Sequence, residues 1–366
     1  MIENASDAHR DEAARLVVEA KFLTDEGKYD EAQWRLERAR QLDPESPEVH
    51  YRLGLLFADT RRLPSALDSY DAAVALTPSD PRFHNNRGSV LQQLGRIEDA
   101  ASAFQQAIDL APDLQPPYVN LGNLLFQSGR GALAIEVYER AIARGLDAGV
   151  FRQFIAAARG EATPRSPDAW VRATFDNFAP VFDAHLQSLG YAVPGQLANL
   201  LKRHLSASVD ILDLGCGTGL CGVSLAASRK SLVGIDLSEQ MLSFAKQRGV
   251  YDELRKSEIH EWLCRAGAET FDVVIAADVF IYIGALENVF SEIARVTRRG
   301  GWLAFSIEEN DGTDYVLRSS GRYAQSTGYI ERLAKPSFRI VDNVAEAIRT
   351  EKGVPLWGRL LLMQRT

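Results

Sequence analysis

Small, aromatic and proline positions recur with a step of 34 residues through the first 148 positions of the chain. Pro44, Pro78 and Pro112 keep this step, as do Ala32, Ala66, Ala100 and Ala134, then Gly54, Gly88 and Gly122, then Leu36, Tyr70, Phe104 and Tyr138. A fixed period of this length predicts stacked pairs of antiparallel helices, near 13–46, 47–80, 81–114 and 115–148. The eighth position of each unit is Ala20, Gly54, Gly88 or Gly122 and the twentieth is alanine, so the two helices of a pair can approach closely. The large residue at the twenty-fourth position is expected to fill the gap to the next pair, and the terminal proline to stop the second helix. The fourth unit has Leu146 where that proline would stand, a departure common in terminal units.

Beyond residue 207 the pattern changes to short apolar runs near 209–214, 231–236, 253–257, 272–277, 301–307, 337–342 and 357–364. Helical stretches lie between most of them, and this alternation predicts a parallel, doubly wound sheet. Gly160 to Pro167, with one glycine and two prolines that deny helix continuation, reads as a short linker.

Candidate chemistry concentrates where the first two of those strands end. Val209 to Asp213 is an apolar strand closing on an acid, Gly215, Gly217 and Gly219 alternate through the turn, and Val233-Gly234-Ile235-Asp236 closes on a second acid. That spacing is one strand-helix-strand unit built for a nucleoside. A dinucleotide pyrophosphate would bring negative charge beside Asp213, which is unfavourable in a partly dry cleft. S-adenosylmethionine instead offers cations to Asp213 and one carboxylate to the N–H groups that open the next helix, with Asp236 accepting from the ribose hydroxyls. Cys216 is a small residue in a crowded turn, and no metal site is expected.

The 34-residue array resembles tetratricopeptide repeats, and residues from about 170 onward resemble a class I S-adenosylmethionine-dependent methyltransferase. The match to that family's Asp-Leu-Gly-Cys-Gly-Thr-Gly loop at 213–219 has no departure. The combination, with Phe-Asp pairs in the segment Trp170 to Leu186 and the ending from Ser320 to Pro355, is similar to a bacterial group of repeat-bearing methyltransferases. The resemblance implies an all-α superhelix followed by an α/β Rossmann-like domain with a seven-stranded, mostly parallel sheet whose last strand is antiparallel. The expected divisions are 1–160 for the repeats, 161–207 for linker and lid helices, and 208–366 for the catalytic core. It also implies cofactor residues Asp213, Gly215, Cys216, Gly217, Gly219, Asp236, Leu237 and Met241, with Glu258 and Ile259 beside the adenine. Leu242 follows Met241 in the hydrophobic pair, and Glu258 stands where the family more often has Asp.

Candidates for the reacting end lie at the carboxyl ends of strands: Asp278, Tyr282 and Glu308, with Glu309 adjacent. His185, Arg322, Tyr323 and Arg349 are further acceptor-side candidates, the two arginines for a carboxylate or phosphate. The activity expected is methyl transfer to an O or N acceptor, with S-adenosylhomocysteine as product. The alternative is a repeat scaffold with a vestigial cofactor domain.

Composition narrows the partners. The chain is 46% hydrophobic, with a formal net charge of −8. That charge divides as −7 over residues 1–162 and −1 over the remainder, leaving no basic stripe for nucleic acid. No run approaches the roughly 18 apolar residues of a membrane span, the start lacks signal-peptide features, and three cysteines without metal spacing fit a reducing, cytoplasmic setting. The repeat array is expected to contact a protein, peptide or small-molecule acceptor, or to pair two copies as a homodimer. His50, Arg52, His84, Asn85, Asn86, Arg87, Tyr118 and Asn120 are its candidate groove residues.

Overall fold

The computed structural model describes residues 2–161, 163–205, 208–312, 314–351 and 354–366. Ala162 of the expected linker, and Lys352 and Gly353 of the expected ending, lie outside them. The chain forms two compact units, Met1–Phe151 and Arg152–Thr366. No helix among the described residues is long and apolar enough to cross a membrane.

The first unit consists of paired helices in the order α1 (Ile2–Asp25), α2 (Tyr29–Leu42), α3 (Pro47–Asp59), α4 (Leu63–Leu76), α5 (Pro81–Gln93), α6 (Ile97–Leu110), α7 (Gln115–Gln127) and α8 (Gly131–Ala143). Pro47 and Pro81 occupy first helical positions, where no N–H is needed, and Pro44, Pro78 and Pro112 each follow a helix end by two residues. The glycines act as expected, and Tyr70, Phe104 and Tyr138 each sit on the glycine of their own pair, while Tyr138 also meets Phe151 beyond it. A Cβ on Gly54 would stand 2.6 Å from the ring of Tyr70, one on Gly88 2.7 Å from Phe104, and Gly122 is covered by Tyr138 in the same way. The missing Cβ makes a seat, and the aromatic ring of the partner helix fills it.

The turn inside each pair needs a left-handed residue. Gly27, Gly95 and Gly129 supply it with φ of 74°, 76° and 75°, and Arg61 holds the same place at φ 60°.

A ninth helix, α9 (Ala148–Arg159), contains the division between the units, nine residues before the expected boundary. Phe151 packs with Tyr118 and Tyr138 of the first unit. Within the second unit, Gln153 is buried and its amide donates to Ser166 Oγ, Tyr323 OH and the Gly321 carbonyl. The expected linker is stitched down as well. Pro164 O accepts from the N–H groups of Gly284 and Ala285, and Ser166 N–H donates to Tyr282 O at 3.0 Å.

The second unit continues with α10 (Asp168–Phe178), α11 (Phe182–Ser188) and α12 (Val193–Lys202). Its strands are β1 (Val209–Leu214), β2 (Arg229–Asp236), β3 (Glu253–Lys256), β4 (Phe271–Ala276), β5 (Thr297–Glu308), β6 (Tyr315–Leu317), β7 (Tyr323–Gln325), β8 (Phe338–Glu351) and β9 (Val354–Arg365). The helices between them are α13 (Leu220–Leu225), α14 (Glu239–Gln247), α15 (Ile259–Arg265), α16 (Glu287–Val296) and α17 (Thr327–Ala334). Seven strands form one sheet in the order β3-β2-β1-β4-β5-β9-β8. β3, β2, β1, β4 and β5 are parallel, and β9 runs antiparallel to both β5 and β8.

Alternation along the strands builds a core on each face. Leu212, Val274, Leu303 and Phe305 pack with Leu263, Phe290 and Tyr329 on one side. Ile211, Val273, Ile275 and Ala304 pack with Leu197, Leu201 and Leu225 on the other. Such burial on two faces is what near-continuous apolar strands demand. The short hairpin β6–β7 has no counterpart in the sequence reading, because three-residue strands are too brief to show a period.

Candidate functional site

The site lies at the carboxyl ends of β1, β2, β4 and β5, where the sheet order reverses on either side of β1 and β4. The turn after β1 places Gly215, Gly217 and Gly219 at φ 62°, 54° and 92°. At Gly215 a Cβ would also stand 2.5 Å from Val279, so only glycine fits there.

Asp213 is almost wholly buried. Its Oδ2 accepts a hydrogen bond of 2.6 Å from Tyr251 OH, while Oδ1 has no partner among the described residues. Burial raises its pKa to about 7, with the Tyr251 hydrogen bond acting in the opposite direction and nearby Asp236 adding to the rise. A buried carboxylate with an orphaned oxygen is poorly satisfied without a cationic or N–H-bearing ligand, and this fits the ammonium end of S-adenosylmethionine. Asp236 stands one strand away. Its oxygens accept from Gly217 N–H at 2.9 Å and Ser238 N–H at 2.8 Å, and burial lifts its pKa to about 6. Since a carboxylate oxygen has two lone pairs, these bonds fix the plane of the group and leave acceptor capacity for hydroxyls.

Tyr251, which the sequence reading missed, is the residue that the glycines accommodate. Cβ atoms on Gly222 and Gly234 would stand 2.5 Å and 2.8 Å from its ring. Those two glycines, on α13 and β2, open a slot through which the phenol reaches Asp213. The absent side chains were legible, but the ring that fills their space depends on how β3 pairs with β2, since Tyr251 stands just before β3.

Both Phe-Asp pairs of the expected lid bond to the site. Asp176 of α10 accepts from Ser238 Oγ at 2.6 Å, and Asp183 of α11 accepts from Thr218 Oγ1 at 2.5 Å and pairs with Arg248. Ser238 also caps α14 by accepting from Met241 N–H at 3.0 Å. Phe175 and Phe182 meet edge to face, and Phe175 continues to Tyr282 at 5.4 Å between centroids.

The remaining expected residues are placed as follows. Cys216 and Met241 are buried, Leu237 is half-buried beside Asp236, and Ile259 opens α15. Glu258 caps α15 by accepting from Glu261 N–H at 2.8 Å, and its other oxygen lies 3.2 Å from Arg165. Its carboxylate is therefore engaged by the protein itself. Asp278 sits at φ 55°, a left-handed position that aspartate tolerates. Its Oδ1 accepts from Ser306 Oγ and its Oδ2 from Arg349, each at 2.8 Å, and burial raises its pKa. Burial pushes Tyr282 up to about 12, against the pull of Arg322 and Arg349. Glu308, expected as a proton acceptor, is buried and held by Arg318, Arg322 and Arg349. Three guanidinium groups surround its carboxylate. Glu309 pairs with Arg359 and accepts from Thr327. Burial lowers the pKa of His185, whose ring packs on Phe178.

In the first unit the candidate groove residues are engaged with the protein. His50 and His84 bond through Nε2 to the carbonyls of Pro44 and Pro78, each at 2.8 Å, and Tyr118 OH donates to Pro112 O at 3.1 Å. These ties recur with the repeat. Asn120 donates to Asn85 at 2.9 Å, Asn85 to Asn86, and Asn86 to Tyr51 OH at 2.9 Å, which makes a side-chain ladder across three repeats. Arg52 pairs with Glu48 and Arg87 with Asp71.

Residues 212–305 match the model of a methyltransferase domain, and 19–81, 61–115 and 85–149 match the model of a tetratricopeptide repeat. The chain thus carries a region that matches tetratricopeptide repeats and a region that matches a methyltransferase domain. The ubiquinone biosynthesis O-methyltransferase of Hahella chejuensis is 34% identical over 140 residues, which cover 35% of this chain and 57% of that protein. The biotin biosynthesis bifunctional protein BioHC of Saccharophagus degradans is 31% identical over 148 residues, covering 38% of this chain and 24% of its own length. The chain thus spans somewhat over half the length of the first of these relatives. Among solved structures, the 1,6-didemethyltoxoflavin-N1-methyltransferase of Burkholderia thailandensis aligns with a TM-score of 0.45 at 17% identity, covering 56% of this chain and 91% of that one.

Proposed function

We propose that the second unit transfers a methyl group to an oxygen or nitrogen of an acceptor that enters beside Asp278 and Tyr282, and that the repeat unit recruits this acceptor or assembles copies of the chain. The observation that carries the cofactor half of this reading is the orphaned Oδ1 of buried Asp213. When bound, the cofactor supplies a methyl group made electrophilic by its sulfonium. Asp213 would hold the ammonium of its methionyl end, Asp236 would accept from the ribose hydroxyls, and Met241 would line the adenine site. Asp176 and Asp183 would hold the lid helices over the loop and exclude water.

In-line displacement requires alignment first, and a proton acceptor only when the nucleophile is an alcohol, phenol or ammonium. Asp278 suits that role better than Glu308. Its pKa is raised and it carries one arginine, whereas Glu308 carries three. The O-methyltransferases among the relatives favour an oxygen acceptor. Titration calorimetry with S-adenosylmethionine, S-adenosylhomocysteine and NAD tests the cofactor assignment. Binding of the first two, weakened in Asp236→Ala, is expected; binding of NAD alone would overturn it. Methyl-labelled cofactor added to a cell extract together with the protein would then reveal the acceptor.

A further inference from the structure

The first repeat leaves apolar surface open where the others close it. The repeat step leads from Phe22 to Leu56, Val90 and Leu124, each 1% exposed, whereas Phe22 itself is 63% exposed. A partner helix within the pair is common to all these positions. What the later repeats add is a helix in front: α3 packs on α2, α5 on α4 and α7 on α6, and α1 opens the series. Phe22 is thus an apolar residue at a position that only a neighbour beyond its own pair can cover.

Val18, one turn earlier on the same helix, departs in the other sense. The repeat step leads from it to the polar residues Arg52, Asn86 and Asn120, yet Val18 is apolar and 69% exposed. Terminal repeats ordinarily turn a polar face outward. α1 does so at Arg15 and at Glu19, which pairs with Arg35; these two stand where α3 buries Val49 and Leu53. An exposed apolar pair one turn apart among those charges leaves the cap unfinished. Arg15, Val18, Phe22 and Asp25 follow one another at the three- and four-residue steps of a seam along which two helices meet. Laid antiparallel about the level of Ala20, two copies of α1 set Val18 against Phe22 and Arg15 against Asp25, twice over by symmetry. A parallel pair would instead set arginine beside arginine and aspartate beside aspartate. Arg15 and Asp25 are both exposed, so their match selects orientation more than it adds affinity.

We propose that the outer face of α1 is a self-association surface, through which two copies of the chain pair with their first helices antiparallel. This deepens the reading in which the repeat unit assembles copies of the chain, and rests on it. Val18 and Phe22 form the apolar centre of the contact, and Arg15 and Asp25 close its two ends. One helix from each copy makes a small interface, so the dimer is weak and forms with rising concentration.

Sedimentation velocity of the full chain from about 1 to about 200 μM tests it. The wild type should pass reversibly from monomer to dimer across that range. Phe22→Glu should raise the dissociation constant at least about 10-fold, because it puts two carboxylates into the apolar centre. Arg15→Glu should raise it at least about 3-fold, and Arg15→Glu combined with Asp25→Arg should return it to within about 2-fold of wild type, since the exchange restores both end pairs. All three positions are exposed, so the helical circular dichroism of the variants should match wild type; should Phe22→Glu lose helix, Phe22→Gln takes its place. A wild type that stays monomeric sinks the assembly reading and this proposal with it. A dimer that Phe22→Glu leaves intact keeps the assembly reading and overturns this surface alone, and a combined exchange that fails to recover overturns the antiparallel pairing.

Discussion

Asp213→Asn should make the cofactor-free protein more stable at pH 8 while removing its affinity for S-adenosylmethionine. Burial holds this carboxylate at a pKa of about 7 against an ordinary 3.8. At about 1.4 kcal/mol per tenfold in proton affinity, keeping it ionised in the folded protein costs about 4 kcal/mol. Asparagine keeps the shape and the acceptor for Tyr251 but places an N–H group where the orphaned Oδ1 stood, at a cost of about 1–3 kcal/mol. The net gain expected is about 1–3 kcal/mol. A raised carboxyl pKa means that the folded state binds the proton more tightly. The wild type is therefore penalised least below pH 3.8, and progressively more as pH rises to about 7. The advantage of the variant should be full at pH 8 and shrink towards pH 4. Scanning calorimetry at pH 5, 6.5 and 8, following the transition that responds to S-adenosylhomocysteine, measures it. A variant less stable than wild type at pH 8, or a difference that does not change with pH, would refute the reasoning.

Three further outcomes are expected. Tyr251→Phe keeps the ring that fills the slot at Gly222 and Gly234 but removes the hydrogen bond that lowers the Asp213 pKa, so cofactor affinity at pH 7.5 should fall about 10-fold and recover as pH rises; a loss of equal size at pH 9 would count against it. Arg61→Gly relieves a left-handed φ of 60° in the turn where three other repeats have glycine, and should raise the stability of the repeat unit by about 0.5–1 kcal/mol in thermal unfolding, with no gain as the contrary result. A chain of residues 148–366 should fold and bind S-adenosylhomocysteine better than one of 165–366, because the shorter chain lacks Gln153 and Pro164, which bond to Tyr323, Gly284 and Ala285; equal stability of the two would show those bonds to be dispensable.

Strand ends and repeat periods were legible because each is a local pattern. Asp213, the glycines after it and Asp236 form a motif within one crossover, and the 34-residue step needs only self-comparison. What escaped depended on distant pairing. Tyr251 meets Asp213 across 38 positions and Arg349 meets Asp278 across 71, through strand registers that no spacing encodes. Glu308 read as a base because it closes a strand. Its three arginines come from a hairpin and a strand that follow it in the chain, and only the folded sheet brings them together. The segment Gly160 to Pro167 reads as a linker because its prolines and glycine deny helix continuation, and nothing in that pattern tells that the carbonyl of Pro164 accepts from Gly284 and Ala285. The seat of the large residue on the glycine of its own pair escaped as well, since a period shows that a position matters but not every helix it faces.

The seat of each aromatic ring on the glycine of its own helix pair also bears on how such an array lengthens over evolutionary time. Gly54 with Tyr70, Gly88 with Phe104 and Gly122 with Tyr138 are each enclosed in one 34-residue segment, and the tie from His50 or His84 to the preceding proline carbonyl spans only six residues. A duplication in register copies the lock together with its seat, and the seam copies the tie. Repeat number can therefore grow or shrink by unequal crossing-over, whereas in the methyltransferase sheet a copied segment would leave behind partners such as Arg349 and Asp278, which stand 71 positions apart.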